Sequence, residues 1–165
     1  MSTSRVDILF VILDVGLMLE NSAVFQAQVV DQVVALNKLG FTAAVLCASK
    51  DRAKFHAVAG QKLEKHKVTV YLISDNGLIK NIFSFTKELK RLKNKQDIGR
   101  IYIRGFWAAF PILLASPLGR LNYVYDVRGD VLDESVGRGG ATYRRFLIRM
   151  LEAFALRCAH HVTSV

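Results

Sequence analysis

The feature that most constrains this chain is a repeated change of hydrophobic period. Residues 7–14, DILFVILD, form a short apolar run bounded by acids, which fits a strand buried on both faces better than one half exposed. From Ser22 the period becomes 3.6: Phe25, Val29, Val33 and Leu36 share one side, while Gln28, Asp31, Gln32 and Lys38 lie largely on the other. Gly40 is placed to stop that helix. The cycle recurs, with strands expected at 41–48 (FTAAVLCA), 68–73 (VTVYLI), 99–104 (GRIYIR) and 121–126, and a last β-like piece, HHVTSV. Helical periods fall at about 51–65, about 78–94, in an apolar piece after Gly105, and at about 141–159. Such alternation gives consecutive βαβ units, so the expected fold class is α/β: a Rossmann-like, three-layer αβα domain with a mostly parallel sheet.

A chain of 165 residues can bury the core that a three-layer fold needs, and one domain over 1–165 is expected. No internal repeat beyond the βα alternation, low-complexity segment or linker interrupts it. The sequence stops at Val165 with a strand in progress, which suggests a domain cut from, or assembled with, something larger. The hydrophobic fraction of 52% is at the apolar end of globular usage and points to surfaces that partners cover. The most apolar stretch, GFWAAFPILLASPLG at 105–119, is too short and too broken by Pro111 and Pro117 to cross a bilayer. The N-terminus lacks the apolar core and small-residue cleavage site of a secretory signal, so a cytoplasmic chain is expected. Cys47 and Cys158 lack metal-ligand or redox spacing and read as buried small hydrophobes. A formal charge of +9 favours anionic partners, whether nucleic acid, acidic lipid headgroups or a phosphorylated substrate.

In parallel sheets of this kind ligands bind beyond the carboxyl ends of the strands, which directs attention to 14–22, 49–52, 74–77, 104–107 and 126 onward. The first of these loops, DVGLMLENSA, contains neither a G-x-G-x-x-G nor a P-loop, which argues against ordinary NAD or ATP use. Gly16 allows a close turn, and Asn21 or Ser22 can cap the next helix while leaving N–H groups for an anion or a sugar hydroxyl; a plain N-cap accounts for the same residues. Arg104 ends one strand and Asp126 the next in sequence. Their pairing to tie loops together, and contact of the guanidinium with substrate phosphate or carboxylate, both fit.

The run YVYDVRGDVLDESVGRGG gathers Asp126, Arg128, Asp130, Asp133 and Glu134. The interleaved arginine and the absence of calcium-loop spacing argue against a divalent cation. Gly137, Gly139 and Gly140 before Thr142 read as a surface loop or as a phosphate cradle at a helix start. In the last helix Phe146, Leu147, Met150, Leu151 and Phe154 read as a core stripe. Lys87, Lys90, Arg91, Lys93 and Lys95 make a basic edge, either a solvated face or one suited to an anionic membrane surface. His160 and His161 have no third ligand in sequence reach, so zinc is not expected.

Taken together, IRGFW at 103–107, the strand ending YDVRGDVLDE and the final LEAFALRCAHHVTSV resemble the N-terminal domain of GT-B glycosyltransferases of the family 4 type, particularly bacterial enzymes that build surface polysaccharides. The matching positions are Arg104, Tyr125, Asp126, Arg128, Gly129, Asp133, Glu134, Glu152, Leu156, Ala159 and Val162 to Ser164. Leu132 stands where that family usually has tryptophan, and the glycine-rich first loop of many members is missing. The resemblance implies Asp126 and Arg128 as catalytic residues. It implies Arg104, Gly129, Asp133 and Glu134 as substrate-binding residues, the last two orienting Arg128 and the loop; Gly16, Asn21 and Ser22 join them from the reading of the first loop.

It further implies a nucleotide-sugar as co-substrate, no metal, a glycan or lipid-linked acceptor, and a donor-binding domain with a Glu-x7-Glu motif in cis or trans. The location implied is cytoplasmic, peripheral on the inner face of the plasma membrane. A non-catalytic glycan- or protein-binding module that lacks the donor domain is the competing expectation. Nucleic acid is not expected, because the basic residues do not interleave with aromatics as a single-strand platform requires.

Overall fold

The computed structural model describes residues 5–13, 22–104, 106–116, 122–127 and 142–164. Six parallel strands, β1 (Arg5–Ile12), β2 (Ala43–Ser49), β3 (Thr69–Ser74), β4 (Asp97–Arg104), β5 (Tyr123–Val127) and β6 (His161–Ser164), form one sheet in the order β3-β2-β1-β4-β5-β6. The expected α/β class is the observed one, with strand limits within two residues of those expected at most ends. β2, AAVLCAS, is buried at every position, because small residues let helices close on both of its faces. Within it, burial pushes the Cys47 thiol up to about 12, whereas Cys158 is half-buried.

Two helices cover one face. Helix α1 runs through Ser22–Phe25, a π turn at Gln26–Val30 and Asp31–Lys38; helix α2 runs through Arg52–Phe55, a π turn at His56–Gly60 and Gln61–Lys65. In each the N–H after the wide turn bonds five residues back, Asp31 to Gln26 and Gln61 to His56. The period of 3.6 predicts the α1 stripe of Phe25, Val29 and Val33. The extra residue of the π turn also turns Val30 and Val34 inward, against Phe10, Ile12, Val45 and Cys47. α1 ends at Gly40, whose φ of +89° with Gly40 N–H on Asn37 O and Phe41 N–H on Leu36 O forms a Schellman close.

The other face carries α3 (Leu78–Lys95), a 3₁₀ turn at Phe106–Ala108 leading into α4 (Ala109–Ala115), and α5 (Thr142–Cys158). Phe85, Leu89 and Leu92 of α3, Ile112 of α4 and Ala155 of α5 pack there on Leu9, Val11, Leu46, Ile101, Ile103, Tyr123 and Tyr125. Gly99 is needed where β4 passes β1, since a Cβ there would stand 2.8 Å from the Asp7 carbonyl oxygen. Of the stripe expected on α5, Leu151 packs inward beside Ala155 and Cys158, whereas Met150 and Phe154 are corrected, each being 54% exposed; the side chains of Phe146 and Leu147 are not described. The face that meets the sheet is turned from the expected stripe toward Ala155 and Cys158, so apolar character alone did not place Met150 and Phe154.

Candidate functional site

The strand order reverses between β1 and β4, the place where a parallel α/β sheet opens a crevice beyond its carboxyl ends. Arg104 stands at that point. It is in register with Ile12 on one side and Asp126 on the other, and its Nη1 donates to the Gln28 carbonyl oxygen at 3.2 Å. The guanidinium thus reaches from β4 across the crevice to the helix that follows β1. A π turn breaks the regular ladder of the helix, so one of its carbonyls can take a donor from outside. The second π turn behaves alike: Gln26 Nε2 donates to Val58 O, and this bond couples α1 to α2.

Asp126, expected to end its strand and to act on substrate, lies one residue before the end of β5 and is 1% exposed. Thr163 of β6, its register partner, brings Oγ1 to 3.5 Å from both Asp126 Oδ1 and Tyr125 O. A carboxylate this deep is tolerated only where neighbouring groups compensate its lost hydration. The residues beneath hold the strand: Tyr123 Oη donates to Ala155 O, and Tyr125 Oη lies 3.5 Å from Glu152 Oε1. Burial pushes both phenols above their ordinary range, with the Glu152 carboxylate adding to the effect at Tyr125.

Farther along the same edge the β2 and β3 loops are stitched together. Ser49 Oγ donates to Asp51 O at 3.0 Å, and Asp51 caps α2 by accepting from Lys54 N–H at 2.8 Å. Arg52 Nη2 donates to Ser74 Oγ at 3.2 Å, and Asp75 N–H donates to Ser49 O. Asp75 Oδ1 accepts from Gly77 N–H at 2.9 Å and from Asn81 Nδ2 at 2.7 Å, while Asn81 Oδ1 accepts from Asn76 N–H. The Gly77 N–H lowers the Asp75 pKa most, against the opposing effect of burial, and Asn81 and Lys50 lower it further. Sequence reasoning marked 74–77 but missed Asn81. Its signal is a polar residue on the inward side of α3 four places after Gly77, buried to 4% exposure.

Of the expected site residues the structure therefore brings Arg104 and Asp126 together as strand neighbours. Ser22 opens α1, and its side chain is not described. Gly16, Asn21, Arg128, Gly129, Asp133 and Glu134 lie outside the described residues. Among the described residues no group of three or more His, Cys, Asp or Glu side chains is placed to hold a metal ion, and no helix is long and apolar enough to cross a membrane.

The strand order and the crevice at β1 and β4 define a Rossmann-like α/β protein with its candidate site at the switch point. A family model described as a glycosyl transferase 4-like domain matches residues 26–165, and the chain belongs to that family, the one its motifs resemble. Among solved structures it is similar to a putative UDP-N-acetylglucosamine 2-epimerase from Listeria monocytogenes, with 13% identity and a TM-score of 0.57. That match covers 98% of this chain and 39% of the epimerase, so the chain spans well under half of that protein's length. A bulky-bulky ketone specific alcohol dehydrogenase from Comamonas testosteroni matches at 11% identity and a TM-score of 0.47, over 93% of this chain and 66% of the dehydrogenase. YwfH, an NADPH dependent reductase involved in bacilysin biosynthesis, matches at 13% identity and the same score, over 93% and 68%. No curated protein matches the chain.

Proposed function

We propose that this chain is the acceptor-binding half of a glycosyltransferase that moves a sugar from a nucleotide-sugar to a glycan or lipid-linked acceptor in surface polysaccharide synthesis. The observation that carries this reading is the placement of Arg104 and Asp126 side by side at the switch-point edge of a chain in the glycosyl transferase 4-like family. In the reaction, Asp126 accepts the hydrogen bond of the acceptor hydroxyl and takes its proton as the new glycosidic bond forms, while the nucleoside diphosphate leaves with the electron pair of the old one. Arg104 and Arg128 hold phosphate on the acceptor, a task suited to the guanidinium fork. Gly16, Asn21, Ser22 and Gly129 serve as substrate-binding residues for the acceptor, and Asp133 and Glu134 orient Arg128.

The nucleotide-sugar is held by a donor-binding domain, in cis or trans, that works beside this one on the cytoplasmic side. Calorimetric titration of the chain with a polyprenyl-diphosphate-linked glycan in detergent, and separately with UDP- and GDP-sugars, tests this reading. Acceptor binding with no heat from the nucleotide-sugars is expected. Binding of the nucleotide-sugars alone would overturn it, and binding of a free glycan with no dependence on the diphosphate would favour a plain glycan-binding module.

A further inference from the structure

Strand β3 is an edge of the sheet, paired with β2 on one side and, among the described residues, with no strand on the other. An edge strand presents a row of unpaired N–H and C=O groups, which proteins that leave the edge open blunt with charge, proline or a bulge. β3 has none of these: TVYLIS is regular over all six residues and carries neither a charge nor a proline. Beside the edge, on the α2 side, runs a groove of about 490 Å³. Half-buried Val70 and Leu72 line it from the strand, and Arg52, His56 and Glu64 line it from α2.

α2 runs against the strand direction, so its two charges stand at opposite ends of the groove. Arg52 is at the carboxyl end, where its Nη2 donates to Ser74 Oγ at 3.2 Å. Glu64 is at the amino end, next to Leu63, whose carbonyl oxygen accepts from Val68 N–H at 2.9 Å. Both residues are exposed, and neither makes an ion pair among the described residues.

A second copy of the chain fits this edge. A two-fold axis normal to the sheet sets β3 antiparallel to itself and keeps every side chain on its own face, so residues that oppose each other are an even number apart. Centred on Tyr71, the axis pairs Val70 with Leu72 on the groove side and Thr69 with Ile73 on the other, and sets Val68 level with Ser74. Glu64 of each copy then comes level with Arg52 of the other, and Lys67 with Asp75. A strand from an unrelated chain would satisfy the N–H and C=O row, but it gives no reason for an acid and a cation at matching levels of one groove.

We infer that this chain self-associates through β3, two copies joining their sheets into one about a two-fold axis at Tyr71, with Arg52 of each copy on Glu64 of the other. β2 stands between this edge and the crevice at β1 and β4, so both crevices stay open. The inference does not rest on glycosyl transfer, since association is read with neither donor nor acceptor present.

The test is sedimentation equilibrium of the whole chain over a range of concentrations, in which the mass should rise to twice that of one chain. Arg52→Glu and Glu64→Arg should each raise the dimer dissociation constant about tenfold or more, because each turns both pairs into like charges. The double variant Arg52→Glu/Glu64→Arg exchanges the charges and should return the constant to within about threefold of the parent. Arg149→Glu, on α5 at the other end of the sheet, should change nothing and shows that net charge alone is not read. All replaced side chains are exposed, so circular dichroism should match the parent. Amide exchange of the parent gives a second reading: residues 69–73 should exchange more slowly as concentration rises, and residues 161–164 of β6 should not. A monomer at every concentration, a dimer that neither reversal weakens, single reversals that the exchanged pair does not rescue, or β3 exchange independent of concentration would overturn the inference.

Discussion

At the scale of single residues, Asp126 and Asp75 show two ways in which a strand end uses a carboxylate. Asp126 is enclosed beside Arg104 and Thr163, and its replacement removes charge where little water can compensate. Asp126→Asn should cost about 1–3 kcal/mol of stability in a denaturant titration and weaken acceptor binding at least about tenfold with the fold retained. Unchanged acceptor affinity would reduce Asp126 to a purely structural residue. Asp75 is more open and caps the turn before α3. Its folded pKa is depressed, so its contribution is complete above the ordinary carboxylate range and is lost as pH falls through the folded value. Asp75→Ala should therefore cost about 1 kcal/mol or less near pH 7. The difference from the parent should shrink toward zero in acid, as read by urea unfolding at a series of pH values. The sequence made Asp126 and Arg104 visible because each ends an apolar run. It did not reveal the burial of Asp126, because depth depends on β6 and α5, which arrive later in the chain.

At the scale of elements, two helices close in the same way with different residues. Gly40 closes α1 at φ +89°, and Lys67 closes α2 at φ +56° with Lys67 N–H on Glu64 O and Val68 N–H on Leu63 O. A Cβ on Gly40 would meet nothing within 4 Å, so Gly40→Ala tests backbone strain alone and should destabilise by about 1 kcal/mol. Lys67→Gly should shift stability the opposite way, by about 0.5–1 kcal/mol, in the same thermal unfolding assay. The Gly40 stop was legible because glycine is the residue that such a turn favours; the end of α2 at residue 65 was legible from the change of period, but the left-handed turn at Lys67 was not, because lysine carries no such signal. The π turns were hidden for a related reason. One extra residue in FQAQVVDQVV leaves the apolar pattern nearly helical, and only the bonds to Gln28 O and Val58 O from other elements show what the wide turns accept. On α5 the pattern named an apolar side but not the side that meets the sheet, which is why Met150 and Phe154 lie outward.

At the scale of the molecule, the alternation of periods was enough to read a parallel, Rossmann-like sheet, because each βα unit returns the chain to the same edge. It did not reveal that β1 and β4 are neighbours, which only the crossover through α3 decides, nor that the head of α3 shares an edge with Arg104. The central claim is that the acceptor binds on this edge, over β1, β4 and β5. The most direct measurement is a map of amide shifts in the isotopically labelled chain as a short-chain polyprenyl-diphosphate-linked sugar is titrated in. The account predicts saturable shifts at Gln28, Arg104, Asp126 and Thr163, with Thr42 and Gly99 at the amino ends of the strands unmoved. Shifts confined to the amino ends, or none at saturating ligand, would contradict it.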